Sequence, residues 1–168
     1  MVLTKDELLG ALGNEVRILL HLVSKADATT LDYRPTPKQR STLELLQYLA
    51  IMPGIHLRGV LAESFDVKVF GEDWRREEAA AKSMTLDQAR DAIGGQPRLF
   101  DELIGACSDA FLRDETEMFG SRSTRGAWIV SLLLLHYAAY RMQLFLYLKA
   151  SGHEELNTLN LWVGQDSM

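Results

Sequence analysis

The chain has a single cysteine, Cys107, so no disulfide can close within it and a cysteine-rich metal site is excluded. Set in the pattern Leu103, Ile104, Cys107, Phe111, it reads as a buried small hydrophobe. Positive charge is also short. Eighteen Lys plus Arg face 23 Asp plus Glu, and the net charge of -5 leaves no electrostatic footprint for nucleic acid or anionic lipid. The one basic cluster, Arg34, Lys38 and Arg40, reads as loop charge that stays solvated. No glycine loop of the phosphate-cradling kind precedes a helix, and no Ser-His-acid spacing is recognisable. The start, Met1 to Glu7, lacks the charged-then-apolar order of a signal peptide, which makes a cytoplasmic protein the expectation. At 168 residues the chain is long enough for one core and short for two, so a single domain over 1–168 is expected.

What is present is helical periodicity, with no convincing strand pattern. Thr4 and Glu7 form a capping box that opens a helix over about 5–25, with Leu8, Leu12, Val16, Leu19 and Val23 on one stripe. Pro35 and Pro37 make residues 26–40 an extended connector. Ser41 and Glu44 open a second helix over 41–62, with a kink or short break at Pro53-Gly54. Residues 63–84 read as a long connection with at most one helical turn, from which Trp74 folds back onto the bundle. A third helix spans 85–113 with a break at 94–97, where Gly94-Gly95-Gln96-Pro97 stands. A fourth spans 124–151 and stops at Gly152. The tail beyond it, with Leu156, Leu159, Leu161 and Trp162, is too apolar to hang free. The fold class is therefore all-α, a four-helix bundle with long connections.

The fourth helix carries His136, Tyr140, Gln143 and Tyr147 at helical spacing, a polar-aromatic stripe on a largely apolar rod. Ala127 to Leu148 is long enough to cross a bilayer, but Arg141 within it would cost about 2.5–3.5 kcal/mol at the membrane centre. A helix at the heart of a bundle fits better, and no membrane span is expected. The apolar flank formed by Trp128, Leu134, Phe145 and Leu148 is broader than a monomer needs, so a homodimer is expected.

The N-terminal helix, the Pro-containing connector, the run Arg40-Ser41-Thr42-Leu43-Glu44-Leu45-Leu46-Gln47-Tyr48-Leu49-Ala50 and the run His136-x-x-x-Tyr140-Arg141-Met142-Gln143 together resemble the DinB-like (YfiT-like) four-helix bundles. The resemblance spans nearly the whole chain. It implies three histidines that bind a divalent metal, one on the second helix and two on the fourth. Those positions fall on Tyr48, His136 and Tyr140, so one of three ligands is kept; Met142 stands where glycine is common.

A tyrosine must lose a proton of ordinary pKa about 10 before it becomes a strong ligand, so Tyr48, Tyr140 and His136 make a poor zinc or nickel site. His56 lies eight residues past Tyr48, about 12 Å along a helix, too far to replace it; His21 on the first helix remains open. The expectation is thus a degenerate metal site without cofactor, its pocket at Tyr48, His136, Tyr140 and Gln143 either structural or binding a small molecule. The alternative implied by the resemblance is a transferase, isomerase or hydrolase that uses zinc or nickel and a low-molecular-weight thiol.

Overall fold

The computed structural model describes residues 3–166, and its architecture is predominantly helical. Helix α1, Lys5–Val23, starts at the expected capping box: the Thr4 hydroxyl accepts from the Glu7 amide at 3.2 Å, and the Glu7 carboxylate accepts from the Thr4 amide at 2.7 Å. Its apolar stripe from Leu8 to Val23 is buried. Residues 26–40 contain turns and no helix, as Pro35 and Pro37 require.

Helix α2, Thr42–Leu61, opens with the Ser41 and Glu44 box and runs unbroken through Pro53. Proline has no N–H to give to the Leu49 carbonyl four residues back. Gln96 supplies the missing donor: its side-chain amide reaches the Leu49 carbonyl at 2.8 Å, and its own carbonyl accepts from the Tyr137 hydroxyl at 2.6 Å. The helix is therefore not broken at Pro53-Gly54, and a distant side chain satisfies the acceptor that proline orphans.

Residues 63–84 depart from expectation. Helix α3, Val67–Ala81, fills most of what reads as a connection, and it packs against α2. Asp66 caps it, accepting from the amides of Lys68 and Val69 at 2.7 and 3.3 Å. Phe70, Trp74 and Ala81 lie inward at helical spacing while Glu72, Arg75 and Arg76 are exposed, and Asp73 and Glu77 border the packed face, where Arg58 of α2 clasps them at 3.1 and 3.0 Å. Trp74 does fold back onto the bundle.

The expected third helix is three shorter ones: α4, Leu86–Gly94; α5, Gln96–Leu103; and α6, Asp109–Arg113. The break at 94–97 is there, and a second follows at 104–108, where Gly105 approaches the Asp101 carbonyl so closely that a Cβ would not fit. Cys107 is half-buried rather than buried, its Sγ donating to the Leu103 carbonyl at 3.2 Å.

A hairpin also corrects the strand-free reading. β1, Glu115–Met118, pairs antiparallel with β2, Ser121–Thr124. Phe119 and Gly120 join them with φ of 52° and 76°, the paired positive angles of a two-residue turn matched to strand twist. Met118 is fully buried, and Trp128 Nε1 donates to the Thr116 carbonyl at 3.2 Å, which fixes the hairpin on the helices.

The C-terminal rod consists of α7, Arg125–Ile129, a π-turn at Val130–Leu134, and α8, Leu135–Ala150. In the π-turn the Leu135 amide bonds the Val130 carbonyl, five residues back. Gly152, at φ 126°, takes a backbone angle that favours glycine as the chain leaves the helix. The tail docks as expected, through α9, Thr158–Trp162: Asn160 reaches His21 at 3.1 Å and Arg17 donates to the Val163 carbonyl at 2.9 Å. α1, α2, α4, α5 and the C-terminal rod share one apolar core that includes Leu12, Leu49, Ile93, Phe100 and Leu144.

Among the described residues one helix, Arg125–Ala150, has the length and hydropathy to cross a membrane. Arg141 within it is buried against α1, with Nη1 2.8 Å from the Glu15 carboxylate. Trp162 lies over the same guanidinium, at 5.1 Å to the ring centre.

Candidate functional site

The π-turn and Pro53 both lie next to the histidines that matter. His136 follows the π-turn directly, and His56 sits one turn beyond Pro53 on the same face of α2 as Met52 and Tyr48. The two imidazole centres stand 5.2 Å apart. Tyr140 lies 5.9 Å from His136 and 4.9 Å from Tyr48, so α8 and α2 meet along a continuous line of rings. Helix α3 closes that line from the side: Trp74 is 5.5 Å from Tyr48 and 5.7 Å from His56, and Phe70 is 5.7 Å from His56. At the far end the Arg40 guanidinium stacks on Tyr48, 4.3 Å from its centre.

Three of the four expected site residues, Tyr48, His136 and Tyr140, thus come together. Gln143 does not join them. Its amide donates to the Tyr147 hydroxyl, and Tyr147 packs edge-on against Tyr33 of the connector at 5.4 Å. The stripe occupies one face, but over eleven residues, about 16 Å, that face passes from α2 to the connector and changes neighbours. His21 is committed elsewhere, near Asn160 and Asp166.

His56, Trp74 and Phe70 complete the cluster. The spacing Tyr48, Met52, His56 marks all three as one face of α2, which is the signal that identifies His56. Its distance from Tyr48 does not set its distance from His136, because the opposing helix brings its own residues along that face. Arg40, exposed at the end of the connector as loop charge is expected to be, also stacks on the edge of the cluster.

Hydrogen bonding fixes how the imidazoles present themselves. A carbonyl only accepts, so the Nδ1 of His56, 2.9 Å from the Met52 carbonyl, carries a proton, as does that of His136, 3.3 Å from the Ser131 carbonyl. In His56 the lone pair is left on Nε2. Burial holds His56 down to a pKa of about 4, with the nearby His136 acting in the same direction. Burial pushes the Tyr48 hydroxyl well above its ordinary range, and its hydrogen bond with Tyr140 adds to the shift.

These properties test the site against a divalent metal. Two imidazoles bound to one tetrahedral ion at the usual Zn–N distance would have centres roughly 5 Å apart, which the His56 and His136 pair matches. The third donor fails. Protein sites of this kind need at least three ligands, the neighbouring side chains are phenols, and Tyr48 is held in its protonated form. No group of three or more His, Cys, Asp or Glu clusters among the described residues. The residues present do not fit a three-ligand metal centre.

Beside Tyr48 a cleft of about 470 Å³ opens between the connector, α2 and the end of α3, with Arg40, Gln47 and Lys82 on its wall. No family model matches the chain, and no curated protein matches its sequence.

Proposed function

We propose that this chain is a DinB-like four-helix protein of the cytoplasm in which the metal position has become an imidazole and aromatic cluster, and that the cleft beside it binds a small organic anion. The observation that carries this reading is the Arg40 guanidinium, stacked 4.3 Å from the Tyr48 ring at the cleft wall. Its donors point to no carboxylate partner among the described residues, and Lys82 across the cleft has none either, whereas Arg34 is engaged by Glu44 at 3.4 Å. The volume is in the range of small-molecule sites, roughly 300–1,000 Å³.

Charge on the wall narrows the class. Asp32 and Glu78 share the cleft, so a dianion such as a phosphate monoester meets repulsion. A monocarboxylate with a flat apolar body meets Arg40 at its charge and Leu43 and Ile51 of the wall at its body. The cluster behind Tyr48 then acts as a rigid floor, and this reading assigns it no bond-making step.

Titration calorimetry with aromatic monocarboxylates and their methyl esters tests this. The acids bind and the esters bind at least tenfold more weakly; Arg40→Gln removes that preference, about 1.4 kcal/mol. Equal binding of acid and ester, or no binding of either at millimolar concentration, would overturn the reading.

A further inference from the structure

The outward face of the C-terminal rod is free of charge along its whole length. Its exposed positions are Ser131, Leu135, Ala139, Met142 and Leu146, with Ala127 and Ala150 at the ends, spaced by three or four residues. Leu135 is 61 % exposed and Leu146 53 %. Elsewhere the solvent faces of the long helices carry charge, as on α1, where Asp6, Glu7, Asn14 and Arg17 are exposed, or on α3, where Glu72, Arg75 and Arg76 accompany the exposed Val67 and Val69. An apolar stripe of this length calls for a cover.

The order of residues along the stripe says what covers it. Leu135 and Met142 lie at equal distances either side of the point between Ala138 and Ala139; so do Ser131 and Leu146, and so do Ala127 and Ala150. Two copies of the rod crossing antiparallel about that point would set Leu135 against Met142 and Ser131 against Leu146. They would bring the small alanines together where the backbones approach most closely. A two-fold contact requires this self-complementarity, residue i meeting j and j meeting i. We infer that the chain forms a homodimer through this stripe, with the two-fold axis at Ala138 and Ala139.

The surface differs from the flank that sequence periodicity suggests. Leu148 is fully buried in the monomer's own core, and Trp128 spends its indole N–H on Thr116. The stripe is about 35 Å long, and a helix pair of that length buries on the order of 600 Å² per partner, the lower end for specific dimers. A membrane surface is the poorer occupant. Interfacial helices flank their apolar face with basic residues. Here Arg141 is buried on Glu15, and Lys149 donates to the carbonyls of Glu154 and Leu156 at 2.8 and 2.7 Å.

Sedimentation equilibrium of the full chain at 50 µM is expected to give twice the 18.9 kDa chain mass, and Leu135→Glu, at an exposed site that folding does not use, is expected to give the chain mass. The axis has its own test in a Cys107→Ser background. Oxidised Ala139→Cys is expected to cross-link to itself, whereas Ala150→Cys cross-links only when mixed with Ala127→Cys. A monomer at 50 µM overturns the proposal. So does a dimer in which Ala150→Cys links to itself and Ala139→Cys does not, or a monomer that sediments with vesicles of mixed neutral and anionic phospholipid.

Discussion

Gln96 donates to the Leu49 carbonyl at 2.8 Å, filling the place of the amide proton that Pro53 lacks. Gln96 is 2 % exposed and also accepts from Tyr137, so one side chain joins α5, α2 and α8. Gln96→Ala strands a buried carbonyl and a buried hydroxyl and is expected to cost about 2–4 kcal/mol by denaturant titration. Adding Pro53→Ala restores a backbone donor to Leu49 and is expected to recover part of that loss. An additive double mutant would show that the bond does not serve this purpose.

His56 gives the fold an acid sensitivity. Its folded pKa is near 4 against an ordinary 6.5. Above 6.5 both folded and unfolded forms are neutral and nothing is lost. As pH falls from 6.5 towards 4 the unfolded chain takes up the proton that the folded one refuses, so stability drops, by on the order of 3 kcal/mol in all. Of the rings packed on His56, Phe70 and Trp74 carry no charge, and the third is the His136 imidazole. His56→Phe is therefore expected to flatten most of the slope of unfolding free energy between pH 6.5 and 4, and an unchanged slope would assign the effect to other groups.

Arg141 and Glu15 form the buried charge contact between α8 and α1. Burial raises the Glu15 carboxyl more than Arg141 lowers it. Arg141→Met alone leaves that carboxyl buried and unpaired and is expected to cost roughly 3–5 kcal/mol, while Arg141→Met with Glu15→Gln is expected to stand near wild type. Thermal unfolding of the two variants separates pairing from packing.

Much of this was legible in the residues, and the misses have physical causes. The capping boxes at Thr4 and Ser41 set two helix starts because each satisfies backbone donors locally. Helix α3 was obscured because its stability comes from docking Phe70 and Trp74 on α2, while its outer face and Gly71 look like loop. The unbroken α2 depends on Gln96, 43 residues beyond Pro53, which no local pattern reveals. At the site, Tyr48, His136 and Tyr140 were readable from position. His56 was not, since nearness to His136 depends on how α2 and α8 cross.

Substituting Tyr48→His and Tyr140→His together would place imidazoles beside His136 and His56. That variant is expected to bind one zinc ion tightly enough to survive gel filtration, because neutral imidazole supplies the lone pair that a protonated phenol withholds. No gain of zinc in a folded double variant would mean that the two side chains do not face a common point.

The paired imidazoles of His56 and His136 lack a third donor, because Tyr48 and Tyr140 are phenols. The most direct measurement is elemental analysis of the wild-type chain, purified without an affinity tag, incubated with zinc and nickel, and passed through gel filtration. The account predicts well below one ion of either metal per chain. One ion per chain, lost on His56→Phe or His136→Ala, would show that the paired imidazoles hold a metal after all and would contradict it.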